Sequence, residues 1–214
     1  MTYLELVNGV LTRLREDTVP TLAGSDDVVV DLVKEYVNDA KRVVEEAHSW
    51  SHLLDEWTFN TSTSSSTVAL TGSSTCAIID VIYDANGQEL KPMQRNEIRK
   101  RALARPASNT PEYYAVTGVT SAGPQLDLHP SPDAVATYYV YGYAKQGDLV
   151  NDSDVCIVPA RPVLYMALAL AARERGEVGA QNMNELMSQA RQSLSDEIAR
   201  DATNQELENI WTSI

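Results

Sequence analysis

The sequence predicts an α+β protein: a four-helix core, two helices from each end of the chain, with an inserted antiparallel β region and one short basic helix. Three observations lead there. Residues 26–59, DDVVVDLVKEYVNDAKRVVEEAHSWSHLLDEWTF, carry a helical stripe that runs into a strand. Between about 56 and 143 the hydrophobic period shifts from helical to alternating, with Gly, Pro, Asn and Ser clusters between short runs. After residue 157 the helical period returns, and no Pro/Gly linker divides the chain.

The first helix starts almost at Met1. Thr2-Tyr3-Leu4-Glu5 matches a capping box, Leu6, Val10, Leu11 and Leu14 form the stripe, and Val19-Pro20 ends it. Ser25 is positioned to cap the second helix, with Asp26 and Asp27 in its first turn. That helix places Val29, Val33, Val37, Ala40, Val44 and Ala47 on one face. Asp27, Asp31, Lys34, Glu35, Lys41, Arg42, Glu45 and Glu46 read as its opposite, charged face.

Trp57 and Phe59 alternate with Thr58 and Asn60, and the run TSTSSST at 61–67 reads as a projecting hairpin loop to a second strand near Val68–Thr71. Cys76–Tyr83 is a third strand, and Asn86-Gly87 a tight turn to a return strand from Leu90 to Pro92. Residues 94–105, QRNEIRKRALAR, form the basic helix. Tyr113–Thr117 and Leu126–Leu128 are short strands. Ala134–Tyr143 puts Tyr138, Val140 and Gly142 on one face and Tyr139, Tyr141 and Tyr143 on the other, so both faces should be covered, by the fold or by a partner subunit. The closing helices span about Pro159–Arg175, with Gly176 just past the end, and Ala180–Ala202, with Met183, Met187, Ala190, Leu194 and Ile198 on one side. The expected organisation is one domain over 1–214: helical core 1–54 and 157–203, inserted β region 55–150, and a C-terminal tail 204–214.

The net charge of −13 disfavours general binding to nucleic acid or anionic membrane. MTYLELVNGVLTRLRED is no signal peptide, and the longest apolar run, VLYMALALAA at 163–172, is too short to span a bilayer. A soluble protein assembled in a cytoplasm is expected. Cys76 and Cys156 lack metal-type spacing and read as two buried thiols of a reduced compartment, a disulfide being the alternative.

Little in the chain suggests chemistry. His48 and His52 are i, i+4 apart, but Ser49, Trp50 and Ser51 lie between them, where a zinc protease has a glutamate. Polar residues at a helix end, near Trp50 and Trp57, explain the pair better than a metal does. His129, in LHPSP, reads as solvated. There is no G-x-S-x-G, P-loop or G-x-G-x-x-G. Neither catalytic nor metal-binding nor cofactor-binding residues are expected, and no enzyme. Lys91, Arg95, Arg99, Lys100, Arg101 and Arg105 concentrate positive charge around the basic helix, either as a solvated face covering the sheet or as a patch facing DNA phosphate or an acidic partner. Leu207, Ile210, Trp211 and Ile214 form an apolar stripe at the C-terminus that docks on the core or on a neighbour.

TYLELVNGVLTRLRED, VVDLVKEYVNDAKRVVEEAHSW and PQLDLHPSPDAVATYYVYGYAKQGDLVNDSDVCIVP, followed by ALALAARERGE, together resemble the head-to-tail adaptors of short-tailed bacteriophages, the tail-tubular-protein-A-like head-completion proteins. The resemblance implies a virion structural protein at the head–tail junction. It implies a ring, commonly of twelve copies, between the portal protein and the tail nozzle protein, with genomic DNA passing through without specific binding. The tail Leu207–Ile214 would reach along the portal, the strands around 56–90 would meet the nozzle or neighbouring subunits, and the charged face of the second helix would be a subunit or lumen surface. The basic helix would then face an acidic partner. A phage tail-associated hydrolase, or a small regulatory or nucleic-acid-binding module, are the alternatives.

Overall fold

The computed structural model describes residues 1–24, 27–63, 65–70, 72–73, 75–104, 108–121, 123–175 and 180–211, with the backbone alone described at 175, 180–183 and 204–211. The protein is α+β and divides into two compact units, one of residues 1–53 and 146–214 and one of residues 54–145.

In the first unit, helix α1 (Tyr3–Arg13) opens with the expected capping box: Glu5 N–H donates to Thr2 Oγ1 at 3.2 Å and Thr2 N–H to Glu5 Oε2 at 2.9 Å. It buries Leu6, Val7, Val10 and Leu11, while Leu14 is only half-buried. The helix ends well before Val19-Pro20. Arg15 sits at φ 61°, its N–H donating to Thr12 O and that of Glu16 to Leu11 O, a left-handed helix stop of the kind glycine usually supplies. The Asn8 amide then holds Val19 through two hydrogen bonds of 2.9 Å.

Helix α2 (Val28–Glu46) is capped by Asp27, whose carboxylate accepts from Val29 N at 2.8 Å. Asp27 therefore takes the role expected of Ser25, which with Asp26 lies outside the described residues. Its buried face is Val30, Val33, Val37, Ala40 and Val44, displaced from the expected stripe at both ends: Val29 is half-buried and Ala47 exposed. Lys41 and Glu45, expected on the solvated side, are buried. The chain then makes one 3-10 turn, Ser51–Leu53.

Helix α4 (Ala160–Arg175) is the most buried element, with Val163, Leu164, Met166, Ala167, Leu168, Ala169, Ala171 and Ala172 inside, and it packs against α1, α2 and α5 (Ala180–Trp211). Its all-round apolar surface is what a helix with three helical neighbours requires. Gly176 lies outside the described residues. Helix α5 continues past the expected end at Ala202 to Trp211 as one helix of 32 residues. It buries Ala190, Ser193 and Asp201, with Met187, Leu194 and Ile198 half-buried and the Met183 side chain outside the described set.

The second unit has two sheets. Strands β1 (Leu54–Asn60), β7 (Thr137–Ala144) and β3 (Cys76–Asp84) form one, antiparallel in the order β1-β7-β3. Strands β2 (Thr67–Ala69), β6 (Gly123–His129), β5 (Tyr113–Thr120) and β4 (Lys91–Pro92) form the other, with β4 parallel to β5. Trp57, Phe59, Ile82, Tyr138 and Val140 of the first sheet meet Tyr114, Leu126 and Leu128 of the second, and Leu70 just after β2, in one apolar core. Phe59 and Tyr138 stack with centroids 5.2 Å apart. Helix α3 (Arg95–Ala104) packs on β5 and β6 through Ile98.

Two expected pairings differ, and two strands are longer than expected. β1 and β2 are not a hairpin but lie in different sheets, and Thr61, at the start of the expected projecting loop, is buried and bonded to Ala134 and Ala136. The Asn86-Gly87 turn exists, with Gly87 at φ 79° and Leu90 N–H returning to Ile82 O, yet β4 then leaves to pair with β5. β5 continues past Gly118 to Thr120 and β6 begins at Gly123, with a register shift between Val116 and Gly118 where the two pair. β7 can approach β3 only because residue 142 is glycine: a Cβ there would collide with the Ile78 carbonyl oxygen.

Candidate interaction surfaces

The polar face of α2 is committed within its own unit. Asn38, Lys41, Arg42 and Glu45 recur at i, i+3, i+4, i+7, the spacing of a buried stripe, and grip residues 146–149. Asn38 Nδ2 donates to Leu149 O at 3.0 Å and its Oδ1 accepts from Leu149 N at 2.8 Å. Lys41 Nζ, fully buried, donates to Glu45 Oε2 at 2.9 Å and to Gln146 O at 2.6 Å, and Glu45 Oε1 accepts from Gln146 N at 3.1 Å. Arg42 holds Asp148 with two bonds of 3.0 and 2.6 Å, and that hydrogen bonding keeps the Asp148 carboxyl below its ordinary range. The expectation that this charged face is offered to a neighbouring subunit or a lumen is therefore corrected at Lys41 and Glu45. The missed signal was the helical spacing of the polar residues themselves.

Asp201 of α5 makes a second polar clamp, on the segment that follows α2. It accepts from Ser51 Oγ at 2.5 Å and Ser51 N at 3.1 Å, and its Oδ2 lies 3.1 Å from His48 Nε2. His52 Nδ1 is 3.9 Å away. Burial alone would raise this carboxyl, but the Ser51 hydroxyl and N–H, together with His48, outweigh it and hold Asp201 below its ordinary value. His48 also meets Trp50 edge-on at 5.0 Å, and Trp50 Nε1 donates to Val44 O at 2.8 Å. The histidine pair thus serves a helix-end polar cluster. Among the described residues no group of three or more His, Cys, Asp or Glu is placed to hold a metal ion.

The basic helix covers the outer face of the second sheet. Arg101 lies over the Tyr113 ring at 5.1 Å and 3.5 Å from Glu97, while Arg95 is 3.9 Å from Asp127. Arg99 and Lys100 are exposed beside them on α3, as is Lys91 on β4. Arg105 lies outside the described residues. So do Ile214 and the side chains of Leu207, Ile210 and Trp211.

The outer face of the first sheet, expected to be covered by the fold or by a partner subunit, is exposed at Leu54, Glu56, Thr58, Ile78 and Tyr139 and half-buried at Val81, Tyr83, Tyr141 and Tyr143. Cross-strand register aligns Leu54, Tyr143 and Ile78; then Glu56, Tyr141 and Val81; then Thr58, Tyr139 and Tyr83. Leu54 is 52% and Ile78 54% exposed, far above core values. Tyr83 and Tyr141 contact edge to face at 6.1 Å. Tyr141 bonds to Glu56, and burial followed by that carboxylate raises the phenol above its ordinary value. Such a band of tyrosine and aliphatic side chains has the composition of a contact surface.

Both cysteines are free. Cys156 is buried, whereas Cys76 is half-buried rather than buried as expected. His129 is half-buried at the end of β6. Among the described residues, no helix is long and apolar enough to cross a membrane.

The family model described as SU10 adaptor protein matches residues 1–209, nearly the whole chain. The chain belongs to that family. It is a phage head-to-tail adaptor family, whose members are structural proteins of the virion rather than enzymes. No curated protein matches the chain. For an adaptor, the relevant geometry is that of surfaces, and the described ones fall into two kinds: the two polar clamps are internal, whereas the tyrosine face and the basic helix are presented outward.

Proposed function

We propose that this adaptor forms a ring of twelve copies between the portal protein and the tail nozzle protein, lining the channel through which the genome leaves. The family match over residues 1–209 carries the reading. Within a single adaptor domain, α1, α2, α4 and α5 serve as a four-helix wall, and residues 54–145 as the insertion that meets neighbours or the nozzle. The C-terminal stripe Leu207, Ile210, Trp211 and Ile214 docks on the portal, and Lys91, Arg95, Arg99, Lys100, Arg101 and Arg105 face an acidic protein surface.

The charge distribution supports this assignment. Of 30 Asp and Glu residues, 21 lie in residues 1–53 and 146–214, against ten of the 17 Lys and Arg. A helical wall of that sign repels duplex DNA, which lets the genome slide without sticking.

The test is electron microscopy of the purified adaptor mixed with DNA-filled capsids that carry the portal but lack the adaptor. The expected result is an added layer at one vertex. The absence of any layer overturns the proposal. Removal of residues 204–214 should weaken the layer while the helical circular dichroism of the free chain changes only by the lost residues.

A further inference from the structure

We propose that the tyrosine face of the β1-β7-β3 sheet receives the basic helix α3 of a second copy of this chain. The inference rests on the ring reading above and names the contact that would build the ring.

Three observations on the same unit lead to it. First, the two surfaces lie on opposite sides of one apolar core: Trp57, Phe59 and Val140 point inward from β1 and β7, which turns Glu56, Tyr139 and Tyr141 outward. The second sheet contributes Tyr114, Leu126 and Leu128 to that core and carries α3 on its other face, where Arg101 covers Tyr113. Different patches on opposite sides of a unit make a head-to-tail contact, and head-to-tail contacts propagate into rings when the rotation closes.

Second, the chemistry matches. The sheet face offers phenol rings and one carboxylate, Glu56, and the helix offers the exposed cations Arg99 and Lys100. The chain already uses this pairing internally, where the Arg101 guanidinium sits 5.1 Å from the Tyr113 ring centre. Arginine and tyrosine are the residues most enriched where interfaces concentrate their binding energy.

Third, long-range electrostatics select this unit for contact between copies. Residues 54–145 hold nine acidic and seven basic side chains and are close to neutral, whereas the rest of the chain holds 21 and ten. Two copies approaching through their helical units repel over a Debye length of about 8 Å. Approach through the β unit costs little, and with α3 leading it is attractive.

The patch is small. A ten-residue helix is about 15 Å long, and three strands span about 10 Å between the outer two. A contact of that size falls at the low end of specific interfaces, so pairs in solution are weak and assembly requires a template.

The experiment uses the full-length adaptor with adaptor-less, DNA-filled capsids, scored by electron microscopy for the added layer. Three proteins are compared: wild type, Glu56→Arg and Arg99→Glu/Lys100→Glu. Thermal melts of the free chains establish that each is folded. The expected result is that each variant alone loses at least tenfold in layer occupancy. An equimolar mixture should restore it, because every altered face then meets an altered helix of opposite charge. Variants that load like wild type overturn the proposed contact and leave the ring reading intact, as does loss that the mixture does not restore. Failure of the wild type to form a layer overturns both.

Discussion

Replacing Lys41 with methionine tests the polar clamp of α2 directly. Methionine keeps most of the aliphatic volume and removes the ammonium, leaving the Glu45 carboxylate buried with no cation beside it and the Gln146 carbonyl without its 2.6 Å donor. Breaking a buried pair from one side costs about 3–5 kcal/mol. Glu45 keeps the Gln146 N–H at 3.1 Å, which places the cost near the low end, about 3 kcal/mol. In a chain of this size each kcal/mol moves the melting midpoint by about 2–4 °C, so Lys41→Met should melt about 6–12 °C lower. The assay is thermal unfolding followed by far-ultraviolet circular dichroism, which reports the helices. The double variant Lys41→Met/Glu45→Leu separates loss of a contact from exposure of an uncompensated charge. It removes the orphaned carboxylate and should recover at least half of the lost stability, despite leaving the Gln146 backbone groups without either partner. A single variant within about 1 kcal/mol of wild type, or a double variant less stable than the single one, would refute the reasoning.

The other two expectations concern α5. Asp201→Asn keeps the shape but weakens every bond to Ser51 and His48, and should cost about 2 kcal/mol at neutral pH by urea unfolding. Because the folded-state carboxyl lies below its ordinary value, its contribution is present above the unfolded value of about 3.9 and is lost as pH falls through the folded one. The gap between wild type and Asp201→Asn should therefore narrow below about pH 4, and a gap that stays constant down to about pH 3 would contradict the assignment. Among the described residues the buried Ser193 hydroxyl has no hydrogen-bond partner, so Ser193→Ala should stabilise the helical unit by about 1 kcal/mol. A lower melting midpoint for that variant would mean the hydroxyl is satisfied.

Local rules made most of the elements legible. Thr2 and Glu5 announced the start of α1, the Asn86-Gly87 turn was where expected, and α4 spans Ala160–Arg175 against an expected Pro159–Arg175. What sequence could not show was long-range pairing. β1 and β2 are adjacent in the chain and separated by a turn-like run, yet each finds its partner tens of residues away, in β7 and β6. Alternation fixes which face of a strand is apolar and says nothing about which strand lies beside it. The surfaces were legible only in part. The positions of the tyrosine face followed from period-two counting in β7, but the exposure of Leu54 and Ile78 beside it did not. Lys41 and Glu45 were misplaced because charge was read as exposure, whereas a charge with its counter-charge one turn away can be buried.

That burial also explains what the polar face of α2 accomplishes that an apolar one could not. Residues 146–149 have no regular secondary structure, so no ladder of backbone bonds fixes their register along the helix. An apolar groove would accept this segment shifted by one residue at small cost, because hydrophobic contact is non-directional. The bonds from α2 are directional: Asn38 pairs with both backbone groups of Leu149, Arg42 with both carboxylate oxygens of Asp148, and Lys41 and Glu45 with the carbonyl and N–H of Gln146. A shift by one residue breaks all three sets together and leaves the buried Lys41 and Glu45 with only each other. The face therefore favours one register over its neighbours, and it does so where the chain re-enters the helical unit after ninety-two residues spent in the other. Lys41 and Glu45, both buried, are the α2 positions at which substitution should harm the protein without altering any surface it presents outward.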